Sequence, residues 1–375
     1  MKILFLCGSL EPGRDGVGDY TRRLAGELIR QGHETAIISL NDRFIDIVVR
    51  EEQKSEDANI PVLRLSSGLS NKERYSTAEN YINCFDPEWL SLQFVPYSFQ
   101  KKGLPFGLGK RLAKIGKGRK WHIMFHELWV GSTNKISKEA FIHILQRKII
   151  RNGLKKLCPI CVHTSLPEFK EKLLKLGVIA YPFPIFSNIP NTSSGQVERD
   201  NIFRVTFFSQ LGVCDEIVQY LQNLCAKIED VNKKLAITLI SGSIEKASMV
   251  KRQLHRILPP SVEIEYTGFL SEKEISQYLS QQDIGITPIP RHALGKSGSV
   301  SAFMLHQLPV SAPCVHNQRS QNDWGFFDDD VIQCCKNALD INKITSGSVK
   351  INEIIMNKFN VKSTVFQYIN DLNYR

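Results

Sequence analysis

A short stretch late in the chain has the residue types that bind phosphate. It is Lys296-Ser297-Gly298-Ser299, which follows a predicted strand over Asp283 to Thr287 and opens a predicted helix. Backbone N–H groups lack partners at a helix start and the helix dipole favours an anion there, so this start with the Lys296 charge suits a phosphate. A Walker A loop is excluded, because it would need glycine at Pro290. The plain alternative is a serine-capped helix with a surface lysine.

A glycine loop follows the first strand. Lys2 to Cys7 is rich in strand-forming residues, and Gly13, Gly16 and Gly18 come before a predicted helix over Asp19 to Arg30. The spacing is not GxGxxG, so the dinucleotide fingerprint is absent. The loop lies where open α/β sheets bind ligands, at the carboxyl end of a strand. For Gly16-Val17-Gly18 the alternative is a tight turn, and Asp19 is expected to cap the helix.

An imidazole and a carboxylate end another predicted strand. Trp121 to His126 reads as that strand, and Glu127 follows it directly. Such a pair can position hydroxyl groups or move protons. The alternative for His126 is a histidine whose ring is satisfied by backbone groups.

Strands and helices alternate along the whole chain, which predicts parallel sheets covered by helices in an α/β protein. At 375 residues two domains are expected. The polar run Ser187 to Gln196 is the predicted linker. We therefore predict an N-terminal domain over residues 1–190, a second over 191–355, and a C-terminal helix over 356–375 that packs back on the first.

Composition narrows the class of protein. The formal net charge is +10, which favours an anionic partner, and the nine cysteines are odd in number, which argues against a disulfide framework. Cys158 and Cys161 with His163 resemble half a metal site, but a buried strand is favoured, and Cys334-Cys335 is placed on a helix. No signal peptide or membrane span is recognised, so a reducing, cytoplasmic setting is expected.

Eight basic and no acidic residues occur in residues 101–120, interleaved with apolar ones. This composition fits an amphipathic face on an anionic membrane surface or over a lipid-phosphate acceptor. The alternative is a solvated basic helix on a sheet. Nucleic acid is not expected as a partner, because no binding module or stacking pattern of aromatics is present.

Several motifs, in order, resemble those of GT-B glycosyltransferases, most of all the large retaining family called family 4. The glycine loop, Leu92 to Phe99, Phe125-His126-Glu127, Tyr266 to Ser271, Asp283 to Pro288 and Gln307 to Val310 carry the resemblance. It implies two Rossmann-like doubly wound domains facing across a cleft. The first would bind the acceptor and the second a nucleotide-sugar donor.

The resemblance also implies roles for particular residues. Lys296 and the amides of residues 297–299 would hold the donor diphosphate, with Gly16-Val17-Gly18 opposite and Ser209 and Gln210 nearby. Phe269 and Leu270 would pack on the base, the alternative being core packing. His126 would face the transferred sugar, while Glu127 and Asp19 would contact sugar or acceptor. No metal or cofactor is expected, since cations and helix starts replace Mg²⁺.

Two departures from the family pattern concern the leaving group. The family's paired glutamates would fall near Leu294 and Ala302, and its usual Arg and Lys would fall within Phe208 to Asp215, where neither occurs. Lys296 is the expected substitute.

The leading hypothesis is a retaining transferase that moves a hexose to a glycan or lipid-linked saccharide in envelope or exopolysaccharide synthesis, with UDP-glucose as the expected donor. A sugar-nucleotide epimerase and a catalytically inactive scaffold stay open as alternatives.

Overall fold

The computed structural model describes residues 1–131, 137–192, 200–314, 332–334 and 357–374. The chain divides into two compact units. Unit 1 contains Met1–Phe183 and Val361–Arg375, and unit 2 contains Pro184–Asn360. Residues 184–190, which the sequence placed with the first domain, therefore group with unit 2.

Unit 1 is built on a sheet of eight strands with the order β3-β4-β2-β1-β5-β6-β7-β8. The strands are β1 (Lys2–Cys7), β2 (Glu34–Asp42), β3 (Val49–Ser55), β4 (Ala58–Ser66), β5 (Trp89–Phe94), β6 (Lys120–Phe125), β7 (Cys161–Thr164) and β8 (Tyr181–Pro182). Every described pairing is parallel except that of β3 with β4.

Helices connect and cover these strands. They are α1 (Gly16–Arg30), α2 (Asn71–Phe85), α3 (Pro96–Phe99), α4 (Leu108–Ile115), α5 (Lys138–Leu157), α6 (Pro167–Leu174) and α11 (Val361–Asn373). Helix α11 comes from the end of the chain and packs against α1. The C-terminal segment is thus a structural part of unit 1.

The two faces of this sheet differ in chemistry where β5, β6 and β7 run side by side. Side chains alternate along a strand, so Leu90, Leu92, Ile123 and Val162 point to one face and join the apolar core. Ser91, His122 and Cys161 lie in register across the same three strands on the other face. This second face is polar and is covered by Tyr368 of α11, whose ring meets the His122 ring edge-on at 5.0 Å.

Unit 2 is built on a sheet with the order β11-β10-β9-β12-β13-β14. The strands are β9 (Ile202–Phe208), β10 (Lys234–Ile240), β11 (Glu263–Tyr266), β12 (Ile284–Ile286), β13 (Val310–Ala312) and β14 (Ile332–Cys334). All the described pairings are parallel. The helices are α7 (Asp215–Asp230), α8 (Ile244–Ile257), α9 (Glu272–Ser280), a 3₁₀ helix (Arg291–Lys296) and α10 (Gly298–Leu305).

Most predicted elements are present, and the differences have local causes. Cys158 ends α5 in the left-handed region at φ 45°, so β7 begins only at Cys161 and the predicted strand over Cys158 to His163 is too long. The predicted helix at Cys334-Cys335 is wrong, because Cys334 ends strand β14. Helix α4 begins at Leu108 because Gly107 precedes it at φ 73°.

The structure pairs Cys214 and Cys314 in a disulfide that joins the loop after β9 to the end of β13. The odd cysteine count argued against disulfides, so this expectation is corrected for one pair. The two cysteines are 100 residues apart in sequence. They come together because β12 alone separates β9 from β13 in the sheet.

Candidate functional site

The glycine loop after β1 is shorter than predicted, because Gly16, Val17 and Gly18 form the first turn of α1. Asp15 caps this helix, and its carboxylate accepts from the N–H of Val17 at 3.1 Å and of Gly18 at 2.9 Å. In the segment that was expected to approach a phosphate, the N–H groups of Val17 and Gly18 therefore already donate to a carboxylate. Gly18 is also tightly packed, since a Cβ there would lie 2.5 Å from the Ser9 carbonyl oxygen.

The expectation that Asp19 caps α1 is wrong. Asp19 lies in the first turn rather than before it. Its carboxylate forms an ion pair with Arg22 at 2.8 Å and accepts from the N–H of Gly13 at 3.1 Å. Asp19 therefore ties the loop to the helix, and the capping role belongs to Asp15.

His126 follows β6 directly and is 5% exposed. Its backbone N–H donates to the Phe94 carbonyl at 3.1 Å, and its ring lies edge-on to Tyr20 of α1 with centroids 4.9 Å apart. Burial lowers the pKa of His126 to about 3, so the imidazole is neutral near pH 7. Such a ring can hydrogen-bond a sugar or support developing charge, but it is too weak a base to hold a proton there.

A chain of hydrogen bonds extends from His126 across the polar face of the sheet. His126 Nε2 lies 2.9 Å from Gln93 Oε1, and Gln93 Nε2 donates to Ser91 Oγ at 2.9 Å. Ser91 Oγ lies 2.8 Å from His122 Nδ1. An amide oxygen only accepts, so His126 carries its proton on Nε2.

The same chain continues to the C-terminal helix. His122 Nε2 lies 3.1 Å from His163 Nδ1, and His163 Nε2 lies 3.0 Å from Asp371 Oδ2. With His163 neutral, the Asp371 carboxylate accepts its Nε2–H, so His163 Nδ1 accepts from His122 and His122 Nδ1 accepts from the Ser91 hydroxyl. The direction of every hydrogen bond from Asp371 to His126 is then consistent, and it fixes the His126 tautomer.

His122, Cys161 and His163 bring two imidazoles and a thiol within 4.8 Å of one another. The two histidines meet at His163 Nδ1, whereas the thiol lies 3.5 Å from His163 Nε2, the nitrogen that also contacts Asp371. The possible ligands thus approach different nitrogens of one ring. The cluster fits the hydrogen-bond chain better than a single metal ion.

Glu127 is half-buried just after His126, and its N–H shares the Phe94 carbonyl at 3.4 Å. The structure therefore brings His126 and Glu127 together at the end of β6. No role had been assigned to Gln93 or Asp371 from the sequence. Asp371 is 208 residues from His163, and only the pairing of distant elements reveals their contact.

In unit 2 the phosphate-like stretch is a helix start, as predicted. Ser297 caps α10, its Oγ accepting from the Val300 N–H at 3.3 Å and lying 3.0 Å from Ser299 Oγ. Gly298 and Ser299 hold the first two helical positions, whose N–H groups have no acceptor within a helix. Lys296 is exposed beside them, at the end of the 3₁₀ helix.

The structure also describes the positions at which the family pattern has its paired glutamates and its Arg and Lys. Leu294 and Ala302 are both 0% exposed, so neither place could hold a solvated carboxylate. Ser209 and Gln210 are exposed at the carboxyl end of β9, with Ser209 at φ 62°, a conformation that non-glycine residues rarely adopt. Residues in such strained conformations cluster at functional sites, so the loop after β9 is a candidate ligand-binding loop.

Phe269 and Leu270 are neighbours in sequence but differ in exposure to solvent. Phe269 is 65% exposed, and its ring covers Gly242, where a Cβ would lie 3.2 Å from the ring. Core packing is therefore excluded for Phe269, whereas Leu270 packs against the apolar cluster of unit 2. Helix α9 begins with a capping box formed by Ser271 and Glu274.

The apolar residues of the basic segment 101–120 mostly face inward. Leu108, Leu112 and Ile115 belong to the core of unit 1, and Phe106 is 57% exposed. These three side chains are unavailable for insertion into a bilayer. Among the described helices, none combines the length and apolarity needed to cross a membrane.

Comparison with known proteins places the fold. No family model matches the chain, and no curated protein sequence matches it. Sucrose-phosphate synthase from Thermosynechococcus elongatus superposes with a TM-score of 0.63 at 13% identity, covering 100% of this chain and 98% of that one.

Two further structures agree over the full chain. An alpha-glucosyltransferase in complex with UDP-glucose and DNA has a TM-score of 0.55 at 12% identity, covering 100% of this chain and 98% of that one. UDP-GlcNAc 2-epimerase from Methanocaldococcus jannaschii has a TM-score of 0.55 at 11% identity, with 100% coverage of both chains. The chain therefore has the α/β fold of the GT-B class.

Proposed function

We propose that this protein is a retaining glycosyltransferase that moves a hexose, glucose from UDP-glucose, to a glycan or lipid-linked saccharide in cell-envelope or exopolysaccharide synthesis. The observation that carries the proposal is the start of α10, where the amides of Gly298 and Ser299 lie beside the exposed Lys296. Helix starts and lysine ammonium groups both bind phosphate.

In the proposed reaction the bond between the sugar anomeric carbon and the diphosphate oxygen breaks, and its electron pair leaves with the diphosphate. The new bond forms to an acceptor hydroxyl oxygen, whose proton leaves with the diphosphate. Lys296 and the α10 amides stabilise the leaving group, a contribution that is largest where charge develops. Neutral His126 holds the sugar, and no metal ion is required.

The first experiment is a donor screen. UDP release from a panel of nucleotide sugars, measured with EDTA and without acceptor, identifies the donor. Lys296→Ala should lower kcat by about 100-fold or more, because it removes one preorganised stabiliser of the leaving group. Lys273→Ala, which removes an exposed lysine of α9 in the same unit, is the matched control. Wild-type kcat in Lys296→Ala would contradict the assignment.

The same screen separates the alternatives. An epimerase, supported by the similarity to UDP-GlcNAc 2-epimerase, would convert a donor to its epimer with no transfer to added saccharide. A catalytically inactive scaffold would show a thermal shift with UDP but no turnover of any donor. A strict Mg²⁺ requirement would refute the metal-independent mechanism.

A further inference from the structure

A cavity of about 510 Å³ opens in unit 1 among the loops that follow β1, β2, β4 and β5. These are carboxyl ends of strands, the edge at which open α/β sheets bind ligands. The volume lies within the range of small-molecule sites, about 300–1,000 Å³. The cavity is therefore large enough for a phosphorylated sugar.

Its lining is strongly cationic. Four basic side chains line it, from Arg43, Arg74, Lys101 and Arg111. The single lining carboxylate is Asp15, which is already bonded to two amides at the start of α1. Among the described residues that line it, the cavity thus has four basic side chains against one carboxylate.

Arg74 is a buried arginine without an ion pair. It is 8% exposed and has no carboxylate partner among the described residues. Its Nη1 donates to Asn41 Oδ1 at 3.1 Å, and its Nη2 donates to the carbonyls of Ser67 and Leu69 at 2.8 and 3.0 Å. Its Nε has no acceptor. Burial, together with the nearby charge of Arg111, lowers the pKa of Arg74.

Arg64, another buried arginine of this unit, is instead paired with carboxylates of the chain. It is 6% exposed, and it forms ion pairs with Asp42 at 2.8 Å, Glu11 at 2.6 Å and Glu51 at 3.5 Å. A buried charge without a counterion costs several kcal/mol. Since no described carboxylate pairs with Arg74, the contrast points to a bound anion as its counterion.

Arg111 adds a second guanidinium at the same cavity. Its Nη2 donates to the Phe106 carbonyl at 2.9 Å, its plane lies over the Tyr75 ring at 5.0 Å, and its buried Nε has no acceptor. The side chain is thus fixed by neutral contacts alone. Guanidinium groups bind phosphate oxygens in pairs and are suited to this role.

We infer that this cavity binds a phosphate group of the acceptor, which is a phosphorylated or diphosphate-linked saccharide, with Arg74 and Arg111 as its counterions. The inference rests on the proposed transferase function and names its acceptor class. The phosphate is a handle for binding, and no bond to it forms or breaks. A soluble sugar phosphate and a lipid-linked saccharide diphosphate share this chemistry.

Isothermal titration with glucose 6-phosphate tests the inference, with UDP present at saturation so that the donor site is filled. Glucose 6-phosphate should bind and uncharged glucose should not. Arg111→Met should raise the Kd at least tenfold, since hydrogen bonds to charged groups are strong. Arg74→Met should do the same, and Arg111→Met decides the test if that variant does not fold.

Lys101→Ala and Lys117→Ala form a matched pair, because both are exposed lysines of one basic segment and only Lys101 lines the cavity. The Lys101 variant should bind more weakly and the Lys117 variant should bind as wild type does. Competition by a polyprenyl diphosphate saccharide in detergent micelles distinguishes a lipid-linked acceptor from a soluble one. The inference is supported whichever of the two compounds binds with the lower Kd.

No binding of either phosphate compound, or equal binding by wild type and Arg111→Met, would overturn the assignment. These outcomes do not depend on turnover. If no nucleotide sugar were turned over but glucose 6-phosphate still bound, the transferase proposal would be refuted and the anion site would be retained.

Discussion

The tautomer of His126 is set by Gln93, whose own hydrogen bonds lead to residues that do not contact His126. Gln93 holds His126 Nε2, and the order of donors behind Gln93 runs through Ser91 and His122 to a carboxylate on the C-terminal helix. A neutral histidine has one donor and one acceptor nitrogen, and a fixed tautomer decides which one faces the ligand. Gln93 is therefore a positioning residue for His126.

Replacing Gln93 tests this role. Gln93→Leu should lower kcat by roughly 10- to 100-fold with little change in KM, since the ring loses its orientation while the donor site is intact. A double-mutant cycle gives a readout that a purely structural role would not move. Adding Gln93→Leu to His126→Ala should cost almost nothing further, and fully additive losses would contradict the coupling.

At this scale the sequence placed His126 correctly at the end of a strand, because a histidine after a buried apolar run is visible as a pattern. It could not identify Arg74, since an arginine in the helix Asn71–Phe85 reads as a surface residue. Its burial depends on residues of two other segments, Asn41 near the end of β2 and Ser67 directly after β4. The assignment of the cap to Asp19 failed because either aspartate could start a helix.

At the scale of elements, α4 and α5 touch through glycine. A Cβ on Gly109 would lie 2.5 Å from Gly153 Cα, so the two helices approach with almost no side chain between them. This contact fixes α4, which carries Arg111 at the cationic cavity. The tight crossing therefore holds one of the proposed phosphate ligands in place.

Gly109→Ala should destabilise unit 1 by about 1–3 kcal/mol, because the added methyl group forces the helices apart. Gly153→Ala is the matched control, since a Cβ there meets nothing within 4 Å. That variant should be neutral or stabilising by up to about 1 kcal/mol, as alanine favours a helix over glycine. Urea unfolding measures both, and equal effects would refute the close packing.

The alternation of strands and helices was readable from the sequence because each parallel strand is a short apolar run between turns. The strand β3, which forms a hairpin with β4, was not predicted from the sequence. Strand β3, Val49–Ser55, is charged and mostly exposed, so it lacks the apolar alternation that identifies a strand. Only its pairing with β4 makes it visible.

At the scale of the whole molecule, buried neutral histidines make stability depend on pH. An unfolded histidine titrates near 6.5, whereas burial lowers the pKa of His126 to about 3 and holds that of His122 well below its usual range. The unfolded state therefore binds more protons as the pH falls below about 6.5. Stability is lost through that window, by about 1.4 kcal/mol per pH unit for each such histidine.

Unfolding followed by tryptophan fluorescence between pH 7 and pH 4 measures this slope. His126→Gln should reduce it by about 1.4 kcal/mol per pH unit, because the glutamine does not titrate. His255→Gln, at an exposed position of α8, should leave it unchanged. An unaltered slope in His126→Gln would show that the imidazole is already solvated.

The C-terminal helix also determines when unit 1 can be completed during synthesis. Its residues leave the ribosome about 180 residues after Phe183 (361 − 183 = 178), which at roughly 5–20 residues per second is a delay of about 10–35 seconds. Through that interval the polar sheet face around Ser91, His122 and His163 lacks its cover of Tyr368 and Asp371. The nascent protein therefore makes all of unit 2 before it can close the first sheet it began.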